Sequence, residues 1–153
     1  MPTLFKIEPL TGVPPVLLGM TKAESREAMA LPFHHYEKVV GSGSFVDAYL
    51  EATFQVFFDS STGMVQAIEL SNDTNLRVKL GEFDVFRTPA SVLVAAISES
   101  AAPALDTENG HSFDFPSLGL WLWRPVVPDS PTDTDGRYFE TIGVQVPKGI
   151  VAP

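Results

Sequence analysis

The sequence predicts an α+β fold built as a tandem repeat of a helix plus antiparallel strands, forming one curved sheet with helices on one face. Two helix starts support this, at residues 18–24 (LGMTKAE) and 85–91 (VFRTPAS). Strand-like segments 53–58 and 64–70 follow the first start, and segments 118–124 and 138–146 follow the second at similar distances. Internal repeats outrank local motifs when a fold is assigned. We therefore expect a single domain with repeats at about 17–80 and 81–147.

The first unit begins with a helix. Thr21 stands three residues before Glu24, a capping-box spacing that satisfies two unpaired donors at a helix start, and Pro32 ends the helix. Strands are predicted at residues 45–50, 53–59 and 64–70, with a glycine-containing hairpin loop at 60–63. The segment 4–7 is predicted to form a short edge strand.

The second unit begins after a half-buried strand at residues 76–80, where apolar and basic residues alternate. We predict Thr88 as the N-cap of the second helix and Pro89 as its first residue, where proline's missing N–H costs nothing. An apolar stripe at helical spacing follows, and Pro103 limits the helix. Strands are predicted at 112–115, 118–124 and 138–146.

The alternation within strands predicts two different sheet faces. Phe54, Val56 and Phe58 share one face, which leaves Gln55 and Phe57 for the other. One face should pack on the helices, and the other should be partly open to solvent or to a partner. In the repeat alignment Trp121 and Trp123 fall opposite core residues, and we therefore predict Trp123 to be buried. Exposed tryptophans would instead be strong interface residues.

Composition excludes several classes of function. The chain has 153 residues, no cysteine, and 19 acidic against 10 basic residues, for a net charge of −9. Absent cysteines exclude disulfides and thiolate chemistry, and the negative field opposes direct binding to nucleic acid or anionic membranes. The start of the chain does not resemble a signal peptide, and no apolar run reaches the length of a membrane span. We expect a cytoplasmic protein.

The motifs tested do not indicate catalysis. Loop 129–136 (DSPTDTDG) looks like a calcium loop, but proline occupies the first ligand position and Ile142 the twelfth. Adjacent His34 and His35 rarely converge on one metal ion, and they fit a helix-to-strand junction better. The stretch 41–44 (GSGS) lacks the context of a nucleophile elbow and the lysine of a phosphate-binding loop. We expect no enzyme activity, no metal and no cofactor.

The proline-rich loop 125–136 is the main candidate for a charged contact with a partner. Its carboxylates Asp129, Asp133 and Asp135 can steer association with a basic surface. The alternative is a solvated acidic hairpin loop. Together with Gln55 and Phe57 on the open face, these aspartates are the predicted partner-binding residues.

Two segments carry a resemblance to known families. The segment 18–24 resembles the LGMT-x-x-E helix start shared by the beta-lactamase inhibitory protein family and by small outer-membrane assembly lipoproteins. The segments 83–90 (FDVFRTPA) and 115–120 (FPSLGL) resemble bacterial immunity proteins found beside secreted toxins. The chain lacks the lipid-acceptor cysteine and the paired cysteines of the exported families.

The resemblance implies a cytoplasmic immunity protein that binds a cognate protein toxin and neutralises it by occluding its active site. The acidic surface would suit a toxin with a basic active-site cleft. The alternative is a module that binds a small ligand, or a regulatory interaction module.

Overall fold

The computed structural model describes residues 2–101 and 103–147, which form an α+β fold with two helices and a large antiparallel sheet. The first half of the chain contains β1 (Thr3–Ile7), β2 (Gly12–Val13), β3 (Val16–Leu17), α1 (Lys22–Met29), β4 (Phe33–Glu37), β5 (Phe45–Tyr49), β6 (Phe54–Phe58) and β7 (Val65–Ser71). The second half contains β8 (Leu76–Leu80), β9 (Phe83–Asp84), α2 (Ala90–Ser100), β10 (Leu105–Asp106), β11 (Ser112–Phe115), a 3-10 turn (Pro116–Leu118), β12 (Leu120–Trp123) and β13 (Thr141–Gln145).

The large sheet has eight strands in the order β10-β11-β12-β13-β7-β6-β5-β4, and every neighbouring pair is antiparallel. The prediction of one continuous sheet was wrong. The strands β1, β8 and β9 form a separate sheet, in which β1 runs parallel to β8, and β2 pairs with β3. The segment 76–80 alternates between buried and half-buried residues as predicted, but it does not extend the large sheet.

The order of strands in the large sheet is symmetrical about the β7–β13 pair. Four strands of the large sheet follow each helix along the chain, and the last of each four lies at the middle of the sheet. Strand order alone shows neither a duplication nor two equivalent helices. The helix α1 has 8 residues and a side-chain cap, whereas α2 has 11 residues and none. The predicted tandem repeat therefore stays a prediction.

The core lies on one face of the large sheet. Phe54, Val56 and Phe58 of β6 are buried there, as the alternation predicted. The ring of Phe5 in β1 lies 4.8 Å from that of Phe54, which places the small three-stranded sheet against the same face. The same cluster includes Met29 of α1 and three residues of α2: Ala90, Leu93 and Ile97. Both helices therefore contribute to the core on this face.

The capping box at the start of α1 is confirmed. The Glu24 N–H donates to Thr21 Oγ1 at 3.1 Å, and the Thr21 N–H donates to Glu24 Oε1 at 3.0 Å. The pKa of Glu24 is held below its usual value by these hydrogen bonds with Thr21. The helix ends at Ala30, which adopts a left-handed conformation with φ of 53° and donates its N–H to the Arg26 carbonyl.

The predicted cap of α2 was wrong. Pro89 rather than Thr88 is the N-cap, and no side chain caps the helix. The Ala90 N–H instead donates to the backbone carbonyl of Arg137, at 2.8 Å. The Arg137 carbonyl thus pairs with the first N–H group of α2. The Thr88 side chain forms no capping hydrogen bond with the helix.

A buried ion pair fastens α1 to the sheet. Asp47 of β5 is fully buried on the core face, and Arg26 of α1 donates to both of its carboxylate oxygens, at 2.7 and 3.0 Å. His35 Nδ1 lies 2.7 Å from the same carboxylate. His34 and His35 lie within β4, an edge strand of the large sheet, and not at the helix-to-strand junction that was predicted. Burial of Asp47 is tolerated because Arg26 pairs with its charge and donates to both of its oxygens.

The prediction that Trp123 is buried was also wrong. Leu120 and Leu122 of β12 face the core, so alternation turns Trp121 and Trp123 to the opposite face, where Trp123 is 38% exposed. The strand predicted at 118–124 begins later, at Leu120, because the 3-10 turn occupies residues 116–118.

Within the described residues, neither helix is long and apolar enough to cross a membrane.

The two predicted caps provide a matched pair of variants. Thr21→Ala should lower the free energy of unfolding by about 1 kcal/mol, because it removes a side-chain acceptor from the start of α1. Thr88→Ala should change it by much less, since Thr88 caps nothing. Urea denaturation of both variants measures the difference, and equal losses would contradict the assignment of the caps.

Candidate functional site

The face of the large sheet opposite the core is the candidate functional site. We call it the open face. It is formed by every second residue of the seven longer strands: His34 and Tyr36; Val46 and Ala48; Gln55 and Phe57; Ala67, Glu69 and Ser71; Thr141, Gly143 and Gln145; Trp121 and Trp123; Ser112 and Asp114.

The open face combines small buried side chains with larger accessible ones. Val46, Ala48 and Ala67 are buried, yet none of them belongs to the core cluster. Phe57 stands between Val46 and Ala67 and is half-buried, and Trp123 of β12 is exposed. Apolar and aromatic side chains grouped on one uncovered face are typical of an interaction surface.

Trp121 lies flat against the sheet because its neighbour is a glycine. Gly143 of β13 stands directly opposite Trp121 of β12. A Cβ built on Gly143 would lie 1.9–2.2 Å from three atoms of the indole ring. The ring therefore occupies the space that any other residue would fill, and glycine at this position permits close packing on the backbone. The indole is half-buried in this position.

Glu69 lies in the next strand of the same row. The row runs across the sheet from Gln55 through Glu69 and Gly143 to Trp121, with neighbouring strands about 4.8 Å apart. Glu69 is half-buried, and it forms no hydrogen bond or ion pair within the described part of the chain. Burial raises the pKa of Glu69, and the charge of Lys38 opposes this rise only in part.

Lys38 brings a positive charge to one side of Glu69. Its Nζ lies 5.0 Å from the centroid of the Phe57 ring, an attractive cation–π distance. The loop that carries Lys38 is folded around Glu37, whose carboxylate accepts hydrogen bonds from the N–H groups of Gly41 and Gly43. These hydrogen bonds hold the pKa of Glu37 below its usual value.

A cavity of about 670 Å³ that is largely open to solvent lies at the β4 end of the open face. It is lined by His34 and Tyr36, whose rings stack, and by the β5–β6 turn. In that turn Leu50, Glu51 and Ala52 all have positive φ, from 52° to 66°. Three consecutive left-handed residues other than glycine are strained, and such strain concentrates at functional sites.

Tyr36 lines the cavity, and its hydroxyl group forms a hydrogen bond with Gln55 of β6. It donates to Gln55 Oε1 at 2.5 Å, and the Gln55 amide donates to the Ala52 carbonyl at 3.3 Å. Gln55 is therefore held in one orientation beside Glu69.

The structure brings two of the five predicted partner-binding residues together. Gln55 and Phe57 both lie on the open face. Asp133 instead borders a cavity next to Pro89 and Ser91, at the start of α2. Asp129 and Asp135 are exposed in the same loop, and both donate their backbone N–H groups to the Asp133 carboxylate. These hydrogen bonds lower the pKa of Asp133 and fix the turn.

Sequence reasoning missed Glu69, and it assigned the tryptophans to the core. The available signal was the segment 120–123 (LWLW), where leucines and tryptophans alternate and so make both faces of a strand apolar. The chemistry that the open face offers is binding through aromatic contact and through the carboxylates of Glu69 and Asp114. The described residues contain no group of three or more side chains arranged to hold a metal ion.

Gly143 and Trp121 form a pair that a double-mutant cycle can test. Gly143→Ala should destabilise the protein by about 1–3 kcal/mol, as overpacking does, because the new methyl group displaces the indole. In a Trp121→Ala background the same change should be neutral or slightly stabilising, since alanine is favoured over glycine in a strand. Additive effects in thermal or urea unfolding would contradict the contact.

Glu69→Gln should make the protein more stable at neutral pH. Burial raises the folded-state pKa of Glu69 above its ordinary value of 4.5. The folded state therefore loses stability as pH rises through the window between these two values, and the loss is complete above it. The variant should match the wild type below the window and exceed it at pH 7. Exposed Glu82→Gln is the control, and a wild type that is the more stable at pH 7 would contradict this account of Glu69.

Comparisons with protein-family models, with curated proteins and with solved structures find no match to this chain. The resemblance to immunity-type proteins stays a prediction, and the geometry of the open face is the basis for a proposal on function.

Proposed function

We propose that the protein is a binding protein without catalytic activity, of the immunity type, which neutralises a protein toxin by covering its active site with the open face. The observation that carries this proposal is the group of aromatic side chains on that face. Phe57, Trp121 and Trp123 are partly accessible there, although burying them would favour folding. Aromatic side chains, tryptophan above all, are the residues that contribute most to protein interfaces.

The open face has the dimensions of an interface. The seven longer strands, spaced about 4.8 Å apart and about five residues long, span roughly 29 Å by 17 Å. This is roughly 500 Å² before side-chain relief is counted, of the same order as the ~800 Å² that each partner buries in a standard protein complex. A hydrogen-bonded sheet is also preorganised, so little backbone entropy is lost on binding.

The width of the open face depends on the joining of β7 to β13. Each of these strands ends a run of a helix and four strands, and we propose that the two runs arose by duplication of one unit. A single run would present only half of the surface.

The charge of the chain suits a basic partner. Its net charge of −9 would speed encounter with a toxin whose active-site cleft is basic, and it would act mainly on the association rate. In this proposal the protein acts in the cytoplasm. Asp129 and Asp135 add exposed charge, while Asp133 holds their loop in shape.

Binding of a small ligand is the second candidate function. The observation that favours it is the cavity of about 670 Å³ beside the strained β5–β6 turn. Its volume is in the range of small-molecule sites, and its lining combines aromatic side chains with a few polar groups.

Co-expression tests the first proposal. Each gene that flanks the gene for this chain is expressed alone and together with it, and growth is measured. One neighbour should be toxic alone and harmless with this chain. Trp123→Ala should fold normally, because Trp123 is 38% exposed, but should fail to protect. Calorimetry with the purified partner should show a loss of about 2 kcal/mol or more, roughly thirtyfold in affinity.

The matched control is Phe83→Ala, which removes an aromatic side chain of similar exposure, 36%, from β9 in the other sheet. It should protect as well as the wild type. Equal protection by Trp123→Ala and the wild type would show that the open face is not the interface. If no flanking gene product is toxic alone and harmless with this chain, the immunity proposal fails and the ligand-binding candidate replaces it.

A further inference from the structure

The middle of the open face holds a carboxylate, that of Glu69, which has no ion-pair partner among the described residues. Glu69 belongs to β7, one of the two central strands of the large sheet. Its neighbours across the row are Gln55, which is neutral, and Gly143, which has no side chain. Lys38 acts on Glu69 through space, but its Nζ lies over the Phe57 ring and forms no ion pair with the carboxylate.

A partner that covers the open face would bury this carboxylate completely. A buried charge with no opposite charge is strongly unfavourable, so the covering surface must supply a cation or force a proton onto Glu69. Supplying a cation is the better solution, because the pair then forms in an environment of low dielectric. The partner is also expected to be basic, since this chain carries a net charge of −9.

The surroundings of Glu69 favour a guanidinium group over an ammonium group. The indole of Trp121 lies flat over Gly143, one strand away from Glu69, and its outward side is half-exposed. A guanidinium group is planar, so it stacks on an aromatic ring while it donates two parallel hydrogen bonds to a carboxylate. An ammonium group provides only a point charge, which Lys38 already brings to the Phe57 side.

We propose that the centre of the open face is a pocket for an arginine side chain of the protein partner, which stacks on Trp121 and pairs with Glu69. This rests on the proposed function, because it assumes that the open face contacts a protein. It adds that the covering segment of the partner carries an arginine. The Tyr36–Gln55 hydrogen bond keeps the Gln55 amide fixed on one side of this pocket.

The test uses the full chain and a defined probe. N-acetyl-arginine amide is titrated at neutral pH into the ¹⁵N-labelled protein, and NMR follows the indole N–H of Trp121 and the backbone N–H of Gly143. Both signals should shift saturably. The isosteric, neutral citrulline amide should cause no shift, and the lysine amide should bind several-fold more weakly than the arginine amide.

Two variants localise the effect. Glu69→Gln should weaken binding of the arginine probe at least tenfold and should fold at least as stably as the wild type. Glu82→Gln, which removes an exposed charge from the β8–β9 turn, should bind like the wild type. Equal responses to arginine and citrulline, or equal binding by Glu69→Gln and the wild type, would overturn the inference. So would the absence of any shift at every probe concentration that leaves the fold intact.

The two proposals fail in different ways. If the partner found by co-expression still binds Glu69→Gln but not Trp123→Ala, the open face is the interface and the arginine pocket is wrong. If the arginine probe binds through Glu69 but no neighbouring gene product binds the chain, the pocket stands as a cation site and the immunity function is wrong.

Discussion

The register between the four central strands decides what each side of the molecule can do. Val56, Ile68, Val144 and Leu120 stand opposite one another and form a continuous apolar row on the core face. A shift of one residue in any strand would turn this row outwards. The adjacent row, Gln55, Glu69, Gly143 and Trp121, is held on the open face by the same pairing. Packing of the core therefore positions the candidate site, although no residue of the site belongs to the core.

Two carboxylates on opposite faces of the sheet differ in how their charge is satisfied within the fold. Asp47 is fully buried on the core face, where Arg26 and His35 both lie within 2.7 Å of its oxygens. Glu69 is half-buried on the open face and has no such partner among the described residues. The first charge is satisfied within the fold and fastens α1 to the sheet. Burial raises the pKa of the second, because its charged form is less well solvated in the folded protein than in water.

Local patterns predicted the fold well where local forces decide the structure. The capping box of Thr21 and Glu24 and the alternation in β6 are examples. Thr88 was misassigned because the Ala90 donor finds the carbonyl of Arg137, a partner distant in sequence. Glu69 resembles an ordinary solvated residue until β13 is placed beside β7, and that pairing joins segments about seventy residues apart. The prediction that Trp123 is buried relied on the assumed repeat. The alternation of β12, in which Leu122 faces the core, instead puts Trp123 on the opposite face.

The central claim is that the open face is uncovered in the free protein, and tryptophan fluorescence tests it most directly. Both tryptophans of the chain, Trp121 and Trp123, lie on that face, so the emission of the native protein reports on this surface alone. We expect emission typical of hydrated indole and ready quenching by acrylamide in the native state, dominated by Trp123, at concentrations where the protein is monomeric. Blue-shifted emission that resists acrylamide until the protein unfolds would contradict the account.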